Sequence, residues 1–163
     1  MTAIVLKLDS LYGLKTTISR GKVHEYLGMD IEWLTKPGVM IVSMVKYLQK
    51  IIEEFPEVIK LTSPSPAGDP FFDVREEADR KVISKEKARH FHCTVAQLLF
   101  LCNRARPDID SLVSFLAIRV REPDKYYWGK LKHGLKYLKV TLYMKRHMSA
   151  ECLNMIRWWV EAS

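Results

Sequence analysis

The sequence predicts an α+β fold with an N-terminal helix and an antiparallel β-hairpin, then a three-helix bundle and a C-terminal strand. Three observations support this prediction. Apolar residues alternate near the N-terminus, and period-two spacing is typical of strands. From residue 84 onward, apolar residues recur at helical spacing. Between these regions, residues 61–75 contain three prolines and a glycine, a composition that disfavours regular structure and predicts a linker rather than an extended strap.

The N-terminal part is predicted to contain two helices and a hairpin. The expected elements are a helix over residues 3–12, strands over residues 23–34 and 39–44, and a helix over residues 45–55. Gly28 falls inside the first strand and indicates a bulge or a close backbone approach. Ser43 is the candidate N-cap of the second helix, which Pro56 ends.

The bundle is predicted to begin at Ser84 and to contain three short-linked antiparallel helices. The first helix has the apolar face Ala88, Phe91, Val95, Leu98, Leu99 and Cys102. Pro107 starts the second helix, which buries Ile109, Leu112, Val113, Leu116 and Val120. The third helix, over residues 124–139, offers Trp128, Leu131, Leu135 and Leu138 to the core.

The C-terminal residues are predicted to form a turn over 142–148 and then a strand in which Ile156, Trp158 and Val160 alternate with polar neighbours. The strand stops at the chain end without a partner, and the sequence is therefore expected to be cut within a following domain. The expected divisions are residues 1–60, a linker over 61–83, a helical unit over 84–142, and a truncated unit over 143–163.

Positive charge is concentrated in one segment. The chain has a formal net charge of +7, and residues 119–147 contain nine lysines and arginines against two acids, so this segment accounts for the whole excess. On the third bundle helix, four lysines share a stripe beside the apolar face: Lys125, Lys132, Lys136 and Lys139. Such a surface is typical of a polyanion-binding site, although a solvated lysine-rich helix face would have the same composition.

Catalytic and metal-binding motifs are absent from the sequence. It contains no phosphate-binding loop, dinucleotide-binding fingerprint, nucleophile elbow or H-E-x-x-H. His90, His92 and Cys93 are close together, but no second half of a zinc motif exists, which favours buried or capping histidines and a core cysteine. By its own residues the chain is expected to be non-catalytic, with no metal site and no cofactor.

Cysteine usage and hydropathy indicate the compartment. Three widely spaced cysteines favour a reducing, intracellular compartment over a disulfide scaffold, without separating cytoplasm from nucleus. No apolar run approaches the roughly 18–20 residues that a membrane span requires, and a secretory signal is not expected at the N-terminus, which lacks a basic region ahead of an apolar block. No contact with a membrane is expected.

Four stretches carry a family resemblance: HEYLGMDIEW with the following GVMIVSMVKYLQKII, VAQLLFLCNRARPDI, WGKLKHGLKYLKVT and IRWWVEAS. In this order they resemble the copia-type (pseudovirus) reverse transcriptase family of LTR retrotransposons, from the region after the Y-x-D-D motif to the first strand of ribonuclease H. The most specific match is the L-L-F-L-x-x-x-x-R-P-D-I pattern. The resemblance covers nearly the whole chain.

The resemblance implies roles for several residues. Residues 1–60 would be the end of the polymerase palm, with a primer-grip-like hairpin at Tyr26, Leu27, Gly28 and Met29. The helical unit would be the thumb or connection, lying along the RNA/DNA template–primer duplex. Its implied phosphate contacts are Lys125, Lys132, Lys136, Lys139, Arg104 and Arg106. The alternative for the two arginines, slightly favoured, is that they cap the helix end or pair with Asp108 and Asp110.

The sequence departs from the family pattern at the positions that carry chemistry. The Y-x-D-D carboxylates that would hold two Mg²⁺ ions in the full-length enzyme are absent. Glu161 stands where the family has its first ribonuclease H aspartate and is expected to be inactive, and Val140 replaces a glycine. The expected protein is therefore a non-catalytic, decaying fragment that binds template–primer nucleic acid.

Two other interpretations stay open from the sequence. The chain could be a protein-interaction or structural remnant, with exposed Phe71–Phe72 and Trp158–Trp159 as its contact surface. It could also be one exon of a gene in which an upstream exon supplies the Y-x-D-D motif.

Overall fold

The computed structural model describes residues 2–13, 18, 20–35, 38–60, 62–74 and 81–150. The helices are α1 (Thr2–Tyr12), α2 (Val45–Glu54), α3 (Lys85–Arg104), α4 (Asp110–Ala117) and α5 (Lys125–Val140). The strands are β1 (Val23–Tyr26), β2 (Met29–Trp33), β3 (Val39–Ser43) and β4 (Arg146–Ser149), and short 3₁₀ turns occupy Asp69–Phe72 and Pro107–Ile109. The predicted α+β class is confirmed.

The four strands form one antiparallel sheet in the order β1-β2-β3-β4. The prediction of one strand over residues 23–34 is wrong, because the chain reverses at Leu27 and Gly28 and pairs Tyr26 with Met29. Both turn residues have positive φ, +49° at Leu27 and +76° at Gly28, as a two-residue type I′ hairpin requires. Gly28 therefore serves a tight turn and not a bulge inside a strand.

The fourth strand comes from the segment that was predicted to be a turn. Residues 146–149 pair with β3, with Arg146 opposite Val42 and Met148 opposite Met40. The C-terminal half of the sequence thus completes the sheet begun by the N-terminal half. The strand predicted around Trp158 and Glu161 lies outside the described residues.

Two details of the helices differ from the predictions. Ser43 is the last residue of β3, and α2 begins after Met44, without a side-chain cap. On α3, Leu99 is 40% exposed, whereas Leu101 is 1% exposed and packs in the core. The N-cap at Ser84 is confirmed, since its Oγ accepts a hydrogen bond from the Lys87 amide at 3.2 Å.

An apolar core joins the sheet to the helices. Its members include Val42 and Met44 beside the sheet, Leu48 and Ile51 on α2, and buried residues along α3, α4 and α5. The proline-containing segment also contributes, because Phe71 is 5% exposed and belongs to this core. Phe71 therefore fastens this segment to the helices, as expected of the extended strap that the sequence left as the less favoured alternative; the segment, residues 62–74, is called the strap below.

Candidate nucleic-acid interface

Helix α5 positions the predicted lysine stripe. Asp124 caps its N-terminus, accepting hydrogen bonds from the amides of Tyr126 and Tyr127 at 2.8 and 2.9 Å. The helix buries Trp128, Leu131, Leu135 and Leu138 as predicted. Because these residues fix the rotation of the helix, the polar positions between them are held at defined places on its surface.

Two of the four stripe lysines form ionic or hydrogen-bond contacts within the protein. The Lys132 ammonium lies 2.5 Å from a Glu57 carboxylate oxygen, and the Lys139 ammonium donates to the Ile59 carbonyl at 2.6 Å. Glu57 and Ile59 belong to the segment that follows α2, which therefore crosses the stripe. These contacts leave Lys132 and Lys139 less available to an external anion than the sequence implied.

The other two stripe lysines differ from this pair. Lys125 is exposed and Lys136 is half-buried. Within the described ranges, no carboxylate oxygen lies within 4.0 Å of either ammonium group. They are the stripe positions best placed to meet an external phosphate.

Arg106 is a buried structural residue. Arg106 is only 2% exposed, and its guanidinium donates hydrogen bonds to both Asp108 carboxylate oxygens, at 2.9 and 2.7 Å. It also donates to the carbonyl and hydroxyl oxygens of Thr141, at 2.9 and 2.6 Å. The observed Asp108 pairing agrees with the alternative stated for this arginine, and burial makes a phosphate contact unfavourable.

The Asp108 carboxylate completes a network between the 3₁₀ turn and the end of α5. The Tyr137 hydroxyl donates to it at 2.8 Å. Burial raises the pKa of Asp108, but the hydrogen bonds from Arg106 and Tyr137 outweigh burial and bring the pKa below its ordinary value. The R-P-D sequence at residues 106–108 therefore anchors the α3–α4 junction to α5.

Arg104 makes a different contact from Arg106. Its guanidinium carbon lies 3.6 Å from the centroid of the Phe100 ring, one turn earlier on α3. Within the described residues, no Asp110 carboxylate oxygen lies within 4.0 Å of the Arg104 guanidinium nitrogens. Asp110 instead accepts a hydrogen bond from the Cys102 thiol, at 3.5 Å.

Glu57 lies at the centre of a cluster of hydrogen-bond donors, two of them lysines, that the sequence did not indicate. One carboxylate oxygen accepts hydrogen bonds from the Lys87 ammonium and the Trp128 indole, both at 2.9 Å, and the other faces Lys132. The hydrogen bonds from Lys132 and Lys87 lower the pKa of Glu57 to about 2. No local pattern could reveal this cluster, because its members come from three separate parts of the chain.

Lys130 is also engaged internally. The residue is buried, and its ammonium donates to the carbonyls of Phe71 and Asp73. It also lies 4.3 Å from the centroid of the Tyr126 ring. This lysine fastens the strap to α5, and its charge is removed from the outer surface.

The hairpin predicted to act as a primer grip presents its turn to solvent. Tyr26 and Leu27 are exposed, and Met29 is half-buried beside the core. Gly28 provides the positive φ that the turn needs. The geometry gives an exposed apolar tip, and its contact with a primer remains a prediction.

Neither a metal-binding cluster nor a membrane-spanning helix is found in the described part of the chain. There, no three His, Cys, Asp or Glu side chains are grouped closely enough to hold a metal ion. Nor does that part contain a helix with the length and hydrophobicity to cross a membrane. Glu161 lies outside the described residues.

Comparison with known proteins gives two relatives. The chain is 30% identical over 137 residues to the Ty5-1 transposon protein YCL074W of Saccharomyces cerevisiae, covering 83% of this chain and 41% of the relative. It is 24% identical over 143 residues to the uncharacterized mitochondrial protein AtMg00810 of Arabidopsis thaliana, covering 88% and 55%. These similarities indicate that the chain derives from a retrotransposon.

The transposon-derived chain spans about half the length of these curated relatives. No protein-family model matches it, and no solved structure matches it significantly.

Proposed function

We propose that this transposon-derived chain is part of a copia-type reverse transcriptase polyprotein and binds the RNA/DNA template–primer duplex without sequence preference. The observation that supports this proposal best is the charge of residues 119–147, nine basic residues against two acidic ones, next to the packed core of three helices. Nucleic-acid duplexes are held mainly through their phosphates, which lysine and arginine neutralise without reading bases.

The structure narrows the set of residues that would make these contacts. Lys125 and Lys136 are the proposed primary phosphate contacts, because they carry no ion pair in the described part of the chain. Arg106 is left out of the set, since its guanidinium is buried and fully used by Asp108 and Thr141. The apolar tip at Tyr26 and Leu27 would lie against the primer strand.

The proposed role requires no catalysis by this chain. Phosphate binding by lysine is electrostatic, and it proceeds without the carboxylates that hold Mg²⁺ in the full-length family enzymes. The alternative role as a protein-interaction module receives less support at Phe71, because this ring is packed in the core. Of the other residues of that surface, Phe72 is 48% exposed, and Trp158 and Trp159 lie outside the described part.

Neutralising the proposed contacts tests the function directly. The double variant Lys125→Gln/Lys136→Gln should bind a fluorescent RNA–DNA hybrid roughly tenfold more weakly at about 50 mM salt, because two phosphate contacts are lost. The matched control is Lys46→Gln/Lys50→Gln, which removes the same charge from exposed positions of α2. Equal losses in both variants would contradict a specific role for α5.

A further inference from the structure

The Glu57 cluster has the geometry of an anion-binding cradle. Three donors from two helices converge on one carboxylate: the Lys87 ammonium on α3 and the indole and ammonium groups of Trp128 and Lys132 on α5. Trp128 and Lys132 are four residues apart and so project from the same side of α5. Their positions are further fixed because the Trp128 ring stacks on Phe55, with centroids 5.0 Å apart.

The cradle borders a cavity that a larger anion could enter. The cavity has a volume of about 500 Å³ and is lined by Glu57, Lys87, Lys125, Trp128, Gly129 and Lys132, together with Val82, Ile83 and Ser84. At Gly129 a Cβ would meet no atom within 4 Å. The helix backbone at Gly129 is therefore open to the cavity, which the three lysines also line.

The charge balance of the cavity favours an anion even with Glu57 in place. Three lysines line it against one carboxylate, which is ionised down to its pKa of about 2. Its side chain is 29% exposed, so solvent and solutes reach it. A phosphate group offers more acceptor oxygens than a carboxylate to the same donors.

We propose that Lys87, Lys132 and the Trp128 indole form a phosphate-binding cradle in which the Glu57 carboxylate holds the place of a nucleic-acid phosphate and is displaced when the strand binds. The inference rests on the nucleic-acid binding proposed above and adds a site and its regulation. Lys125, an exposed residue that lines the same cavity, adds a further positive charge beside the cradle. Glu57 acts as an internal competitor that lowers the affinity of the wild-type protein.

Removing the competitor is the first test. In Glu57→Gln, the two lysines lose their internal partner, and affinity for a 20-base-pair RNA–DNA hybrid should rise roughly tenfold at about 50 mM salt. The slope of the logarithm of the association constant against the logarithm of salt concentration should steepen by about 0.9, because one additional phosphate is contacted. Glu53→Gln removes one negative charge from an exposed position of α2 and should change affinity much less. Equal affinities in Glu57→Gln and Glu53→Gln would overturn the proposal.

A second comparison keeps Glu57 in place and so does not depend on the folding of Glu57→Gln. Lys87→Gln removes a cradle donor, whereas Lys85→Gln removes the same charge from an exposed position in the first turn of α3. Lys87→Gln should weaken hybrid binding several-fold more than Lys85→Gln. Equal effects would contradict the cradle.

The outcomes separate the inference from the proposed function. If wild-type protein binds the hybrid with a salt-dependent affinity and the Glu57 and Lys87 variants behave like their controls, the cradle is wrong and nucleic-acid binding stands. If neither wild type nor Glu57→Gln binds, both proposals are overturned.

Discussion

Two glycines on α5 allow a matched test of the packing described here. A Cβ built on Gly134 would lie 2.8 and 2.9 Å from the two methyl carbons of Leu112 on α4, and Leu112 is itself fully buried. At Gly129, by contrast, no atom lies within 4 Å of the added carbon. The same substitution, glycine to alanine, thus meets a closed helix contact at one position and open space at the other.

The expected free energies of unfolding follow from these distances. Alanine favours a helix interior over glycine by about 1 kcal/mol, so Gly129→Ala should stabilise the protein by up to about that amount. Gly134→Ala gains the same propensity but must displace a buried leucine, and overpacking costs about 1–3 kcal/mol. Gly134→Ala should therefore be less stable than Gly129→Ala by about 1–3 kcal/mol.

Chemical denaturation followed by circular dichroism measures both values on otherwise identical proteins. The unfolding slope with denaturant should be unchanged in both variants, because neither alters the area buried on folding. Equal stabilisation by the two substitutions would refute the close packing of α4 on α5. A destabilised Gly129→Ala would refute the open space at that position.

Three further predictions concern polar and ionisable side chains. Replacing Arg106 with Met should destabilise the protein by about 2–4 kcal/mol, because Asp108 and Thr141 lose their buried partner. Chemical denaturation measures this loss, and Tyr137→Phe, which removes one hydrogen bond from the same network, is the comparison and should cost about 1 kcal/mol. Burial raises the pKa of the Cys102 thiol to about 11, so iodoacetamide at neutral pH should alkylate exposed Cys93 before Cys102, as peptide mass spectrometry would show. Glu57 has a pKa of about 2 in the folded protein against an ordinary value of 4.5. Its ionised carboxylate should therefore contribute about 1–2 kcal/mol, after solvent screening, to the free energy of unfolding above pH 4.5, and this contribution should disappear as the pH falls toward 2. The pH-dependent contribution should be missing in Glu57→Gln.

Each of these predictions has a result that would contradict it. A wild-type stability for Arg106→Met would show that the buried network contributes little. Faster labelling of Cys102 than of Cys93 would contradict the burial of that thiol, and an unchanged acid dependence in Glu57→Gln would contradict the low pKa of Glu57.

The sequence predicted the elements better than their connections. Apolar spacing correctly identified the three bundle helices and most of their core residues. The tight hairpin at Leu27 and Gly28 was missed because a two-residue turn leaves the period-two alternation unbroken, so two short strands resemble one long strand. The pairing of β4 with β3 was missed for a different reason, since residues 39 and 149 are brought together only by the tertiary fold.

The candidate site was predictable only as a charge pattern. The sequence places Lys132 and Lys139 on the same stripe as Lys125 and Lys136, and helical spacing alone cannot distinguish them. The difference arises from Glu57 and Ile59, more than 70 residues earlier, which cross the stripe in the folded protein. Arg106 likewise allowed two interpretations, and its burial and its pairing with Asp108 favour the structural one.

The most direct test of the central claim is the salt dependence of wild-type binding to an RNA–DNA hybrid. If Lys125 and Lys136 neutralise phosphates, the logarithm of the association constant should fall linearly with the logarithm of salt concentration, with a slope of about −2 or steeper. A duplex of unrelated sequence should give the same slope and a similar affinity. Salt-independent binding, or no binding at about 50 mM salt, would contradict the account.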